Sequence, residues 1–349
     1  MTITIKDIAK VAGVSTATVS YVINGTRTVT SEKRQRVLEA IAKTGYQPNT
    51  VAKSLRTKKT NTIGILVEDI LAFPVSRIIN GISEYVEKTD YRILLSDLRM
   101  LDSLFNQYDQ IIHQKEKISK ELMFLVYGAK VDAIIYIGMF DRDISGIIED
   151  INLPVVVAYS TSRDANTKFV TYENEDISTE IVNYLLQMGH ERIAVITGLA
   201  HTAPAQLRLK GIHRAFNKVG VTLDSQLIKS GDWERSSGYS CMKELLENGN
   251  VALPTAVFVM NDLMAIGAMD AIREAGLDVP RDISVVGFDN RDVSEFVFPK
   301  LTTAEIDLKA IGFAAAQITV ETLAGKGKGE RKIIVPSKMV LRDTVRRFE

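Results

Sequence analysis

The chain has 349 residues, 43 Lys/Arg against 43 Asp/Glu, 46% hydrophobic and 25% charged residues; it is long enough for two or three domains and too ordinary in composition for a disordered or fibrous protein. No apolar run of about 18 residues occurs, which excludes a spanning helix by this criterion, and the single cysteine, Cys241, excludes an intrachain disulfide. The neutral total hides an asymmetry: residues 1–60 hold 11 basic and 3 acidic side chains and the remainder 32 and 40, about +8 against −8, the charge footprint of a nucleic-acid-binding segment.

Ile5, Ile8, Ala9 and Ala12 recur at helical spacing and predict a first helix with one apolar face. Gly13 takes a left-handed conformation at no steric cost and would end it. Ser15 then suits an N-cap, and Val19, Val22 and Ile23 give a second helix its buried stripe. The opposite face carries Thr16, Ala17, Ser20 and Tyr21, all short or flat. A helix entering the DNA major groove needs such a face: close approach, hydroxyl donors and acceptors, and methyl groups for thymine. Two short helices around a tight turn, the second covering 15–24, read as a helix-turn-helix. Ser15, Thr16, Ala17, Thr18, Ser20, Tyr21 and Asn24 are its predicted DNA-binding residues. A plain pair of packed helices is the alternative, and the local positive charge weighs against it. A third helix is expected over 31–44. Ser31 would cap it, Glu32 would face its positive end, Val37, Leu38 and Ile41 would pack on the first two helices, and Gly45 would stop it. The linker over 46–61 follows, where Asn49 could cap a short helix at 50–56. With few apolar residues and a costly nucleus, that helix is marginal alone.

From Thr62 the pattern changes to apolar strands alternating with amphipathic helices. Strands are expected at 63–67, 92–95, 133–137, 155–158, 193–196, 256–259 and 283–288, with a further one near Ile228. Helices are expected at 75–88, 102–127, 176–188, 205–219, 236–246, 263–275 and 308–323. This order predicts parallel sheets covered on both faces, and the length requires two. Ligands of doubly wound sheets sit at the carboxyl ends of the strands. The residues just beyond the later strands supply a guanidinium (Arg208), an indole (Trp233), an amide (Asn261) and a carboxylate (Asp289). Fork donors and carboxylate acceptors each suit neighbouring hydroxyls, and a flat indole covers an apolar ring face. The set suits a polyhydroxylated small molecule. Each residue also has a plainer role open to it: Trp233 as a surface plug, Asn261 as a helix cap, Asp289 as a loop acceptor. Asp262 is expected to cap the helix that follows.

Lys6-Asp7-Ile8-Ala9, Val14-Ser15, Thr18-Val19-Ser20, Val22-Ile23-Asn24, Tyr46-x-Pro48-Asn49, Ala52 and Leu55 resemble the DNA-binding headpiece of the LacI/GalR family of bacterial transcription regulators, and the resemblance continues through nearly the whole chain. It implies a helix-turn-helix headpiece at 1–45, a hinge at 46–61 and a two-lobed core at 62–349, similar to the periplasmic binding proteins. Lobe one would take 61–159 and 291–323, and lobe two 160–290 and 324–345. The resemblance also implies that the hinge helix forms only on DNA, where Asn49, Ala52 and Leu55 reach the minor groove and Leu55 wedges between base steps. Arg208 matches the family's Arg-x-x-Gly, Trp233 an aromatic after Gly-Asp, Asn261 the Asn-Asp after a strand, and Asp289 the aspartate of Gly-Phe-Asp-Asn. The first-lobe loop departs from the family: of its usual aromatic pair only Phe73 remains. Tyr159 stands where many members carry aspartate. Both are left to stack on a ligand.

No phosphate-cradling glycine loop and no metal-ligand spacing appears. Cys241 reads as packing rather than as a nucleophile, so no enzyme and no cofactor are expected. The helix beginning within Met1–Ile8 leaves no signal peptide, which with the lone cysteine predicts the cytoplasm. Ending at Glu349 without heptads, the chain is expected to be a homodimer and not a tetramer. The expected partners are therefore double-stranded operator DNA, a second copy and a small effector, most naturally a sugar, with no membrane. Competing readings are a periplasmic-type sugar receptor, a regulator answering to a nucleobase or partner protein, and an enzyme on a two-lobed fold.

Overall fold

The computed structural model describes residues 3–25, 27–46, 59–100, 111, 114–148, 151–249, 252–326 and 329–349. Residues Met1–Thr60 and Asn61–Glu349 form two compact units. The hinge helix expected at 50–56, with Asn49, Ala52 and Leu55, lies outside the described residues.

In the smaller unit, α1 (Ile5–Ala12) starts where Thr4 donates from its backbone N and its Oγ1 to the Asp7 carboxylate, at 2.8 and 2.7 Å. Gly13 ends it at φ 62°. The second helix, α2 (Thr16–Asn24), is capped by Ser15, whose Oγ accepts from Thr18 N at 3.1 Å. The third, α3 (Ser31–Thr44), is stopped by left-handed Gly45. Ser31 is its first turn rather than its cap. Thr30 takes the capping position without a side-chain bond, and its carbonyl accepts from Arg34 N at 3.0 Å. Ile8, Val19 and Val37 are fully buried, with Ala9, Ala12, Val22 and Ala40 around them. Leu38 does not pack inward as expected: it is 49% exposed. One residue is about 100° of helix, and α3 turns Val37, Ala40 and Ile41 to the core instead.

The larger unit opens with β1 (Thr62–Val67), α4 (Val75–Val86), β2 (Arg92–Asp97), α5 (Lys115–Met123, followed by a π turn at Phe124–Gly128), β3 (Ala133–Ile137), β4 (Val155–Ala158) and β5 (Lys168–Tyr172). It continues with α6 (Glu175–Gln187), β6 (Ile193–Thr197), α7 (Ala203–Lys218), β7 (Ile228–Ser230), α8 (Arg235–Glu247), β8 (Ala256–Val259), α9 (Asp262–Glu274) and β9 (Ser284–Val286). The end of the chain supplies α10 (Val293–Phe296), β10 (Thr303–Ile306), α11 (Leu308–Leu323), β11 (Lys332–Val335) and β12 (Ser337–Val340). The long helix expected at 102–127 is described only from Lys115.

One sheet runs β11-β5-β4-β3-β1-β2 and a second β7-β6-β8-β9, with every pair parallel. Their central strands β1, β3, β4, β6 and β8 are near-continuous apolar runs because helices cover both faces. The antiparallel pair β10-β12 continues the second sheet through bridges at Val286–Thr302 and Asp289–Glu305. This corrects the lobe boundaries. The β4 edge leaves a free ladder of backbone groups, and β5 fills it (Val156↔Lys168, Ala158↔Val170); β11 then pairs with β5. Residues 168–172 and 332–335 therefore belong to the first sheet, whereas 303–306 lie with the second. The chain passes between the lobes near Glu173, near Asp307 and at Pro336, which separates β11 from β12.

Helix α11 lies on β3, β4 and β5 and against α4. That helix pair meets backbone to backbone. A Cβ on Gly81 would stand 2.0 Å from Lys309 O, and one on Gly312 1.9 Å from Ile78 O.

Candidate effector cleft and DNA-reading face

On α2 the side chains of Thr16 and Ala17 are exposed, and those of Ser20 and Tyr21 are half-buried. Ser15 and Thr18 are joined to each other, Oγ to Oγ1, at 2.9 Å, so both are committed first to starting the helix. Arg27 stands over the Tyr21 ring at 5.2 Å from its centroid. This basic residue escaped notice in the sequence because it follows the turn at Gly25. Asn24 is the last residue of α2.

In the larger unit, the carboxyl ends of both sheets border one cavity of about 110 Å³. All six residues predicted for an effector line it: Phe73, Tyr159, Arg208, Trp233, Asn261 and Asp289. Each stands where its strand stops. Phe73 sits in the loop after β1, Tyr159 follows β4, Arg208 lies one turn into α7 beyond β6, Trp233 follows β7, Asn261 β8 and Asp289 β9. Three of them are held on left-handed backbone, Tyr159 at φ 65°, Trp233 at 79° and Asp289 at 111°. Non-glycine residues avoid that region, and strain kept at several positions around one cavity marks a site the surrounding fold has fixed.

Arg208 is 2% exposed, and each of its three side-chain nitrogens bonds the protein. Its Nε donates to Asn174 Oδ1 at 2.9 Å, Nη1 to the Met260 carbonyl, and Nη2 to the Tyr172 hydroxyl at 3.3 Å. Its guanidinium lies 3.5 Å from the Phe288 ring centroid. Asn174 passes the network on, donating to Asp141 at 3.1 Å. Tyr159 and Tyr172 stack at 5.1 Å, 18° from parallel.

The helix cap expected of Asp262 falls to Asn261, the plainer role left open to it, while Asn261 also lines the cavity. Asn261 caps α9, its Oδ1 accepting from Met264 N at 2.8 Å, while its Nδ2 donates to the Trp233 carbonyl at 2.8 Å. Asp262 is fully buried within the first turn and accepts from Thr303 Oγ1 at 2.6 Å and from Arg291 N at 2.7 Å. Its carboxylate helps fix the loop that carries Asp289. Trp233 lies against Gly198, and its Nε1 is buried with no partner among the described residues. Cys241 is buried, as packing requires.

Asp141, Tyr172, Phe140 and Arg291 also line the cavity and were not foreseen. Asp141 and Phe140 follow β3, so the strand-end rule reaches them. Tyr172 ends a strand that the sequence pattern concealed. Behind them Glu68, fully buried at the end of β1, accepts from Tyr136 at 2.6 Å, Met139 N at 2.9 Å and Arg142 Nη2 at 2.6 Å, and so fixes the loop that carries Phe140 and Asp141. Burial pushes the Asp141 carboxyl up to about 6, against the pull of Arg208. Burial, then the neighbouring Asp289 charge, pushes Asp262 up to about 7. Asp289 is raised by burial despite Arg291 and Arg208.

Comparison with known proteins agrees with both units. Residues 4–49 match the family described as "Bacterial regulatory proteins, lacI family", and residues 182–345 match a periplasmic binding protein-like domain. The HTH-type transcriptional repressor PurR of Histophilus somni is 33% identical over 344 residues, which cover 98% of this chain and 99% of that one. Its Pasteurella multocida namesake is 33% identical over 345 residues, 98% of each chain. The crystal structure of the Lac repressor dimer bound to operator and the anti-inducer ONPF superposes with a TM-score of 0.78 at 27% identity, over 99% of both chains. The chain belongs to the lacI family of bacterial regulatory proteins. It is a ligand-responsive DNA-binding regulator and not an enzyme.

Proposed function

We propose that this protein is a repressor that binds operator DNA as a homodimer and responds to a sugar or sugar derivative held between its two sheets. The observation that carries the effector reading is the convergence of Phe73, Tyr159, Arg208, Trp233, Asn261 and Asp289 on one cavity at the strand ends. Aromatic faces can cover the apolar side of a sugar ring, and Asp289 can accept from its hydroxyls. Arg208 and Asn261 shape the site, because their polar atoms are already engaged. Ligand binding would favour one arrangement of the lobes and alter operator affinity, and a coupling of about 1–3 kcal/mol suffices. Thr16, Ala17, Ser20 and Tyr21 would read bases, with Leu55 entering the minor groove at the centre of the site. Such a protein works beside the chromosome, in the cytoplasm.

A nucleobase is the second reading. Phe73, Phe140, Tyr159, Tyr172 and Trp233 all border the cavity, and aromatic walls stack well on a flat heterocycle.

The test is a titration of the full-length protein with panels of sugars and nucleobases. It follows the emission of Trp233, the only tryptophan, and repeats the operator-binding assay with every compound that changes it. A sugar that perturbs Trp233 and shifts operator affinity is the expected result. A response to nucleobases alone would move the assignment to the second reading, and silence from both panels would remove the cleft as an effector site.

A further inference from the structure

The cavity holds two arginines in different chemical situations. Arg208 has given its Nε, Nη1 and Nη2 to Asn174, Met260 and Tyr172. Arg291 forms one side-chain hydrogen bond, from Nε to Asp289 Oδ2 at 3.3 Å, and its two terminal nitrogens have no partner among the described residues. It is nevertheless a held side chain. Its guanidinium lies over Phe73 at 4.2 Å from the ring centroid. Its backbone N–H is bonded to buried Asp262 at 2.7 Å, and its side chain is only 26% exposed. Anchored through Nε on one edge and through its face on the aromatic ring, the guanidinium has its Nη edge left to offer. That edge is the part of arginine whose paired N–H groups match two oxygens of one carboxylate or phosphate. Trp233 lines the same cavity, and its Nε1 is a buried donor without an acceptor among the described residues. A guanidinium edge open to the cavity and a buried indole N–H without an acceptor both suit an acceptor-rich ligand, the second because a buried donor left unpaired is costly.

From this, and resting on the effector reading of the cleft, we propose that the effector carries an oxyanion, a carboxylate or a phosphate, and that Arg291 is the residue that selects it. Asp289, Asp262 and Glu234 surround Arg291. Asp289 is turned to its Nε, and Asp262 to Thr303 and the Arg291 backbone. Burial raises the pKa of all three acids, which weakens their competition with a bound anion.

The experiment uses the full chain with glucose, glucuronate and glucose 6-phosphate, read by calorimetry and by Trp233 emission, on wild type, Arg291→Gln and Arg291→Lys. At least one acid is expected to bind 10-fold or more tightly than glucose, and which acid does so separates carboxylate from phosphate. Arg291→Gln should erase that preference while leaving ligand-free operator affinity unchanged, and Arg291→Lys should restore part of it. Glucose binding as tightly as both acids, or a preference that survives Arg291→Gln, overturns the proposal. If these three compounds are silent and the wider panel yields a neutral effector, the oxyanion assignment falls while the cleft stands. If no compound perturbs Trp233 or operator affinity, both fall.

Discussion

Trp233 lies against the backbone of Gly198 so closely that a Cβ there would stand 2.0 Å from Trp233 Cζ2. Any side chain at 198 must therefore displace the indole from the cavity wall. Gly198→Ala is expected to shift Trp233 emission and weaken effector binding, with a stability cost of about 1–3 kcal/mol from overpacking. Ligand-free operator affinity should be unchanged. An unaltered emission spectrum would show that the indole is not seated as described.

Arg208→Ala should do more than remove a ligand contact. It would strand Asn174 Oδ1 and the Met260 carbonyl in a buried site, and each orphaned group costs about 1–3 kcal/mol. Urea unfolding should show a lower midpoint for the core. Asp289→Ala, which leaves the Arg208 network intact, should keep most of the stability and lose effector response. Equal stability for wild type and Arg208→Ala would contradict the network.

Glu68→Gln removes the charge that faces buried Arg142. Breaking one side of a buried ion pair costs about 3–5 kcal/mol. The loop bearing Phe140 and Asp141 should loosen as well, seen as faster hydrogen exchange at Met139, whose N–H is bonded to Glu68. Retained protection there would refute the role given to Glu68.

The raised acids Asp262 and Asp141 should make stability fall as pH rises from about 4 towards 7. Asp262 is raised to about 7 in the folded chain from an ordinary value of 3.8, so above 3.8 the folded state binds more protons than the unfolded one. Its stabilising effect is complete at low pH and lost as the folded group ionises. Asp141 acts in the same direction around 6. Buried His190 has a lowered pKa and acts oppositely, its contribution present above 6.5 and lost as pH falls below that. The loss from Asp262 accumulates between about pH 4 and 7 and levels off above it; between about 6.5 and 7 His190 no longer opposes it, and there Asp262→Asn should flatten the decline. A decline as steep in the variant would assign it elsewhere.

Tyr21→Ala should change the ranking of operator variants by about 1–3 kcal/mol at the base it reads. A basic headpiece also makes affinity fall with salt, by about 0.9 in log K per log salt for each neutralised phosphate. Uniform weakening across all sequences would make Tyr21 a backbone contact.

Arg208, Trp233, Asn261 and Asp289 were legible because each lies beyond a strand, and β6, β8 and β9 announce themselves as largely apolar runs. Tyr172 and Asn174 were not. Tyr172 ends β5 and Asn174 lies just beyond it; β5 carries Lys168 and Thr171 within five residues, and only its pairing with β4 and β11 reveals it. The same blindness misplaced the lobe boundary, since β11 alternates exposed and covered residues at a sheet edge. Arg291 looked like any loop arginine; what sets it apart is its grip on Asp289 and Phe73, a contact between segments more than 200 positions apart. The cap at Asn261 rather than Asp262 turned on a single residue of helix register, which propensity does not resolve.

The left-handed backbone at Tyr159, Trp233 and Asp289 restricts how this cavity can change. Where φ is positive the strand ends aim their side chains through main-chain geometry, so ligand choice can drift by exchanging one side chain for another without rebuilding the loops. The alphabet is limited, however. Valine, isoleucine and threonine are barred by their branched Cβ, while asparagine, aspartate, histidine and glycine pass readily. A library randomised at these three positions should be depleted of valine, isoleucine and threonine among its folded members, and new ligand preferences would have to be written without them.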